Sequence, residues 1–156
     1  MTPSKAFALS ALLALLAACT NVSAPTDSSS SSPPPSGPGG PTSLSGTWDA
    51  TLTVTGGNAL PKGTKLTGTI VLVADTDTNA LSGTLTLSNG IAGTIQGAQA
   101  GNGFVMTTTE TLPCHSGSFD TPDGRVNDAF TQLTGTFDGR DCNGKLVAAL
   151  AAVRRS

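Results

Sequence analysis

Tyrosine is absent from this 156-residue chain, tryptophan and histidine occur once each, and aromatic side chains make up 4% of it. Glutamate also occurs once, at Glu110, and charged residues of all kinds make up only 12%. These shortages exclude a good deal. One Trp cannot build a pocket walled by indole rings, and a lone Glu and a lone His leave little for paired acid and base chemistry. Basic side chains number 8 against 10 acidic, and the only basic cluster is Arg154-Arg155 at the C-terminus. Nucleic acid is held by clustered Lys and Arg that neutralise phosphates, so it is not an expected partner. No apolar run is long enough to be a spanning helix either: the stretch from Ala6 to Ala18 is about a dozen residues, where crossing a bilayer takes about 20.

That stretch has a different meaning. Lys5 supplies a positive charge, the apolar run follows, and it closes on small residues, which is the order of a cleaved secretory signal. Its last residues, Leu16-Ala17-Ala18-Cys19, resemble the lipobox of bacterial lipoproteins. The resemblance covers residues 1–19 and implies that the signal is cut before Cys19, whose thiol carries a diacylglycerol. Thr20 stands where an Asp marks inner-membrane retention in many Gram-negative members, so the same resemblance implies a cell-envelope address at the outer membrane. Acyl chains contribute about 0.8 kcal/mol per buried CH₂, and two or more anchor stably without a polybasic patch. None is present: once Lys5 leaves with the signal, 7 basic face 10 acidic side chains, a net charge of −3.

With Cys19 given to lipid, Cys114 and Cys142 remain. Outside the cytoplasm such a pair is expected to form a disulfide. Together with His115 the same cysteines are also the donor types zinc prefers, but an oxidising compartment favours the bridge. No metal and no cofactor is expected.

From Ser23 to Ser43 the chain is almost entirely Ser, Pro, Gly and Thr. Such a segment buries too little to offset its ordering entropy and is expected to be a disordered tether. Its reach lies between about 25 Å as a coil and about 65 Å if the prolines extend it. The organisation expected is therefore a signal over 1–18, a lipidated Cys and tether over 19–43, and one domain over 44–156.

Within that domain a five-residue phrase recurs: Leu44-Ser45-Gly46-Thr47-Trp48, Leu66-Thr67-Gly68-Thr69-Ile70, Leu81-Ser82-Gly83-Thr84-Leu85, Ile91-Ala92-Gly93-Thr94-Ile95 and Leu133-Thr134-Gly135-Thr136-Phe137. The copies are irregularly spaced, which excludes a fixed-period solenoid. In a strand, positions one, three and five share a face, so each copy turns apolar, Gly, apolar inward. Trp48, Ala50, Leu52 and Val54 continue that face, with Thr47, Asp49, Thr51, Thr53 and Thr55 opposite, as in an antiparallel sheet wet on one side. Repeated inward glycines point to the sharp bends by which a sheet curls and closes.

Strands are expected over 44–55, 64–74, 80–88, 91–99, 103–112, 129–138 and 144–153, with Asn89-Gly90 a strong hairpin turn. An eighth is sought within the stretch from Pro113 to Asp128. The Ala-rich 146–153 segment also suits a short helix, though its length favours a closing strand. The fold class is all-β: a small antiparallel up-and-down β-barrel or curled meander of 7–8 strands. Leu44-Ser45-Gly46-Thr47-Trp48 and the strand pattern through residue 98 resemble calycin-type barrels, the lipocalins and especially the avidins, and imply the same barrel. Biotin-pocket residues do not carry over, because those pockets need several Trp and a Tyr.

Candidate chemistry is sparse. His115 has Ser116, Asp120, Asp123 and Asp128 near it in sequence, but all within one polar stretch, without the separate supports of a triad. Asp75-Thr76-Asp77-Thr78-Asn79 has the alternating carboxylates of a calcium loop, but Ala80 and Thr86 occupy positions where an EF-hand needs Gly and Glu, so a hairpin turn is expected. Glu110 shares inward parity with Phe104 and Met106, and a place at a wet strand end is expected for it. The function expected is non-catalytic: an envelope lipoprotein whose barrel takes a small apolar ligand at a mouth lined by Trp48, Phe104 and Met106. The alternative is a structural or inhibitory module that meets a protein through its outer face or the 113–128 loop.

Overall fold

The computed structural model describes residues 42–156. The signal, Cys19 and almost all of the tether lie outside the described residues. Eight strands follow one another: β1 (Gly46–Gly57), β2 (Lys65–Ala74), β3 (Ala80–Leu87), β4 (Ala92–Ala100), β5 (Gly103–Leu112), β6 (Ser118–Val126), β7 (Gln132–Asp141) and β8 (Gly144–Arg154). Each pairs antiparallel with the next, and β1 pairs with β8, giving a closed barrel. Closure removes every sheet edge. The 146–153 segment is the closing strand, with Leu146, Ala148, Leu150 and Ala152 buried.

The recurring phrase does what its parity predicts. All ten of its flanking apolar residues, from Leu44 and Trp48 to Leu133 and Phe137, are at most 5% exposed. Its glycines sit where the wall folds tightly on itself. A Cβ on Gly68 would lie 2.0 Å from the Thr86 carbonyl oxygen, and one on Gly83 would lie 2.0 Å from that of Val71. Any side chain there would force β2 and β3 apart, so the glycines let adjacent strands coil closely enough for eight to close.

The eighth strand sought between Pro113 and Asp128 is present: β6 occupies Ser118–Val126. Pro122-Asp123-Gly124 has the composition of a turn but forms a bulge. Between the pairs Met106↔Thr121 and Phe104↔Gly124, β6 spends one residue more than β5, and its inward set changes from Phe119 and Thr121 to Gly124 and Val126. Asp123 makes good the broken ladder with β7. Its carboxylate accepts from Thr136 N at 2.6 Å and from Thr136 Oγ1 at 2.8 Å, and these bonds hold its carboxyl below the usual range.

The hairpin alternation gives the barrel two ends. At one end the chain arrives through Leu44 and leaves through Arg154. The Trp48 Nε1–H donates to Leu44 O at 3.1 Å, and the Arg154 guanidinium lies 4.4 Å above the indole. That guanidinium also donates to the carbonyls of Ser43, Ser45 and Phe130. The opposite end carries the 113–117 and 142–143 connections and the Cys114–Cys142 disulfide. Between the ends Phe119 stacks on Phe137 with centroids 4.7 Å apart.

Candidate functional site

Trp48, Phe104 and Met106 are 0%, 3% and 4% exposed and belong to the core. They do not line a common mouth. Trp48 is sealed beneath Leu44 and Arg154. Phe104 and Met106 instead border two open grooves on the outer wall of β4, β5 and β6. One, of about 280 Å³, is lined by residues including Gly97, Val105, Met106, Thr121 and Pro122. Its neighbour, of about 300 Å³, includes Ala98, Phe104, Val105, Pro122 and Arg125.

The grooves share Val105 and Pro122 because this is where the β6 bulge breaks the ladder with β5. Val105 stands there 49% exposed. No sequence signal foretold the position, since it depends on how a bulge in one strand meets Gly97 two strands away. The composite groove is apolar along its floor, with Asp120 on one part of its rim and Arg125 on another.

The polar residues near His115 do not converge. Asp120 accepts from Thr107 Oγ1 at 2.7 Å, Asp123 is held by Thr136, and Asp128 accepts from Asn102. In the 75–79 turn, Asp75 Oδ1 accepts from the backbone N–H of Asp77 at 2.9 Å and of Thr78 at 3.1 Å. These bonds lower its carboxyl's proton affinity and account for the aspartate as turn chemistry.

Glu110 corrects the expectation of a wet rim position, being 1% exposed. Its Oε1 accepts from Cys114 N at 3.3 Å, while Oε2 has no partner. Thr108 Oγ1 and Thr121 Oγ1, also inward on β5 and β6, are likewise buried without partners. Burial pushes the Glu110 carboxyl up from its ordinary range. Asp141 adds to the rise, against the Cys114 N–H and His115, which oppose it. Beside it, a carboxylate oxygen of Glu110, Cys114 Sγ and a carboxylate oxygen of Asp141 lie within 4.8 Å of one another. The bridge commits the thiolates that a zinc site here would use.

A carboxyl whose folded pKa is raised favours the folded state fully below its unfolded pKa, and that contribution is lost as pH rises through the folded value. Glu110→Gln is therefore expected to stabilise the protein at neutral pH and to flatten the decline of its stability with rising pH. Urea unfolding at several pH values measures both; a variant with the wild-type slope would mean that Glu110 is not the group responsible.

No protein-family model matches the chain, and no curated protein matches it. Among solved structures it is similar to a de novo designed fluorescence-activating β-barrel, at 12% identity and a TM-score of 0.48, over 71% of this chain and 93% of that one.

Proposed function

We propose that this protein is a lipid-anchored envelope barrel, carried on Cys19 at the outer membrane, that holds a small and mainly apolar ligand in the groove over Val105 and Pro122. The observation that carries the reading is the pair of adjoining apolar grooves where β6 departs from β5. Ligand sites are concave, mostly apolar and marked by a few polar groups. Arg125 at the rim suits a ligand with one anionic or strongly accepting end. The role is binding rather than catalysis, and Phe104 and Met106 contribute as floor residues while Trp48 holds the barrel end.

Fluorescence titration with anilinonaphthalene sulfonate tests the groove. Val105 is half exposed, so Val105→Glu leaves the core intact while placing a carboxylate against the apolar floor. A loss of affinity of about tenfold, or about 1.4 kcal/mol, is expected. Equal binding by both proteins would move the site elsewhere. The anchor is tested separately: Cys19→Ser is expected to shift the protein from the membrane to the soluble envelope fraction with its unfolding curve unchanged, and continued membrane retention would refute lipidation.

A second reading, docking of a protein partner, is favoured by one feature. From Leu66 to Thr109 the only charged residues are Asp75 and Asp77, both in one turn, and Val71 and Val73 stand 40% and 58% exposed on that wall. Val73→Lys abolishing capture of an envelope protein, with dye binding intact, would support docking over the groove.

A further inference from the structure

The barrel end that carries the disulfide holds three features that the ligand reading does not use: a bridge with unequal sulfurs, a buried acid beside one of them, and an amide aimed at the same sulfur. Cys142 is exposed, in the two-residue connection between β7 and β8, whereas Cys114 is half-buried. Asp141 Oδ1 fixes that turn by accepting from Asn143 N at 2.7 Å and Gly144 N at 3.1 Å. The turn so held directs Asn143 Nδ2 to Cys114 Sγ at 3.7 Å. On the inner side stands Glu110, with Oε2 unpartnered.

We propose that Cys114–Cys142 is an exchange-active disulfide that takes electrons from an external dithiol, with Cys142 the sulfur attacked, Cys114 the sulfur that leaves, and Glu110 the proton donor to it. Thiolate attack on a disulfide runs in line, so the leaving sulfur lies on the far side from the incoming one. Cys142 is the more exposed of the two and the easier to reach from solvent. Attack there forms a mixed disulfide between the partner and Cys142, breaks the Cys114–Cys142 bond, and leaves its electron pair on Cys114.

Leaving sulfurs depart faster when their negative charge is stabilised. Cys114 has two means of this: the Asn143 N–H, and the carboxyl of Glu110, whose oxygen lies within 4.8 Å, a gap that rotation of the freed Cys114 side chain can close. Glu110 passes its proton to Cys114 and becomes a carboxylate. The partner's second thiolate then attacks its own sulfur in the mixed disulfide and releases Cys142 as a thiolate, so that the partner ends oxidised and the bridge reduced. Exposed disulfides are the labile and regulatory ones, whereas buried ones resist reduction.

A proton donor works best when its affinity for the proton is raised toward the working pH. Burial raises that affinity for Glu110, and Asp141, reaching in from β7, adds to it. His115, in the β5–β6 connection, and the Cys114 N–H oppose it. Opposite Glu110 on β4 stands Gly93, and on the β6 side Gly117 packs against the carboxylate, so neither adds a charge.

Two measurements on the full-length protein test the proposal. In the first, reduced glutathione opens the bridge, iodoacetamide traps the products, and peptide mapping locates the adduct. Glutathione on Cys142 with alkylated Cys114 is expected; glutathione on Cys114, equal labelling of both, or no adduct overturns the proposal, and no variant has to fold. In the second, dithiothreitol opens the bridge across a pH series and each rate is divided by the thiolate concentration. The wild-type quotient is expected to fall at least about tenfold as Glu110 ionises, and that of Glu110→Gln to stay flat and below the wild-type acid arm. A flat wild-type profile, or equal quotients for the two proteins at acid pH, would remove Glu110 from the reaction.

Discussion

Trp48→Ala is expected to destabilise the domain by about 3–5 kcal/mol, the range for deleting a large aromatic from a packed core. Trp48 is fully buried at the end where the chain arrives and leaves. Its removal leaves a cavity, strands the Leu44 carbonyl that accepts the indole N–H, and takes away the ring beneath Arg154. Arg154 ties Ser43, Ser45 and Phe130 together, so the loss reaches the β1–β8 seam that closes the barrel. Small domains hold only about 5–15 kcal/mol in total. The measurement is urea unfolding: a midpoint lowered with an unchanged slope means lost stability in an intact fold, whereas a reduced slope means a loosened native or altered denatured state. A change below about 1 kcal/mol would show that Leu44 and Arg154 close over the gap without the ring.

The second large effect concerns the bridge. Cys114 and Cys142 are separated by 28 positions, and closing a loop of about 29 residues restricts the unfolded chain by roughly 3.6 kcal/mol on the chain-entropy model. Replacing both with alanine is expected to cost a comparable amount, read as a lower thermal midpoint. The barrel should remain closed, because the β1–β8 seam forms without these residues. Reduction of the wild-type protein should give the same shift. Reduction without any shift in midpoint would show that the unfolded chain gains no freedom when the bridge opens. The two experiments also separate stability from exchange chemistry, since the alanine pair removes the bridge permanently while Glu110→Gln leaves it in place.

The repeat made the barrel legible before any coordinates. Five copies of apolar, Gly, apolar at a two-residue period specify which side chains turn inward, and all ten flanking residues are buried in the closed barrel. The disulfide was legible for another reason: giving Cys19 to lipid, as the lipobox resemblance implies, leaves one pair. The eighth strand could be placed between Pro113 and Asp128, but its bounds were not legible. Pro122-Asp123-Gly124 carries every local mark of a turn, and only the cross-strand bonds of Asp123 to Thr136 let the strand continue through it.

The candidate sites divide in the same way. Phe104, Met106 and Glu110 share a parity visible in the sequence, but parity reports a face and not what covers it. Whether Glu110 ends in water or against a disulfide depends on residues about thirty positions later, at Asp141 and Cys142, which arrive only when β7 and β8 close the wall. The same holds for the groove, made by a bulge in β6 lying beside Gly97 of β4. Local pattern determined the strands, their inward faces and the expected cysteine pair, because these depend on period and composition. The closed order, the sealed Trp48, the buried acid and the outer groove were decided by tertiary structure, because each arises where segments far apart in the chain meet.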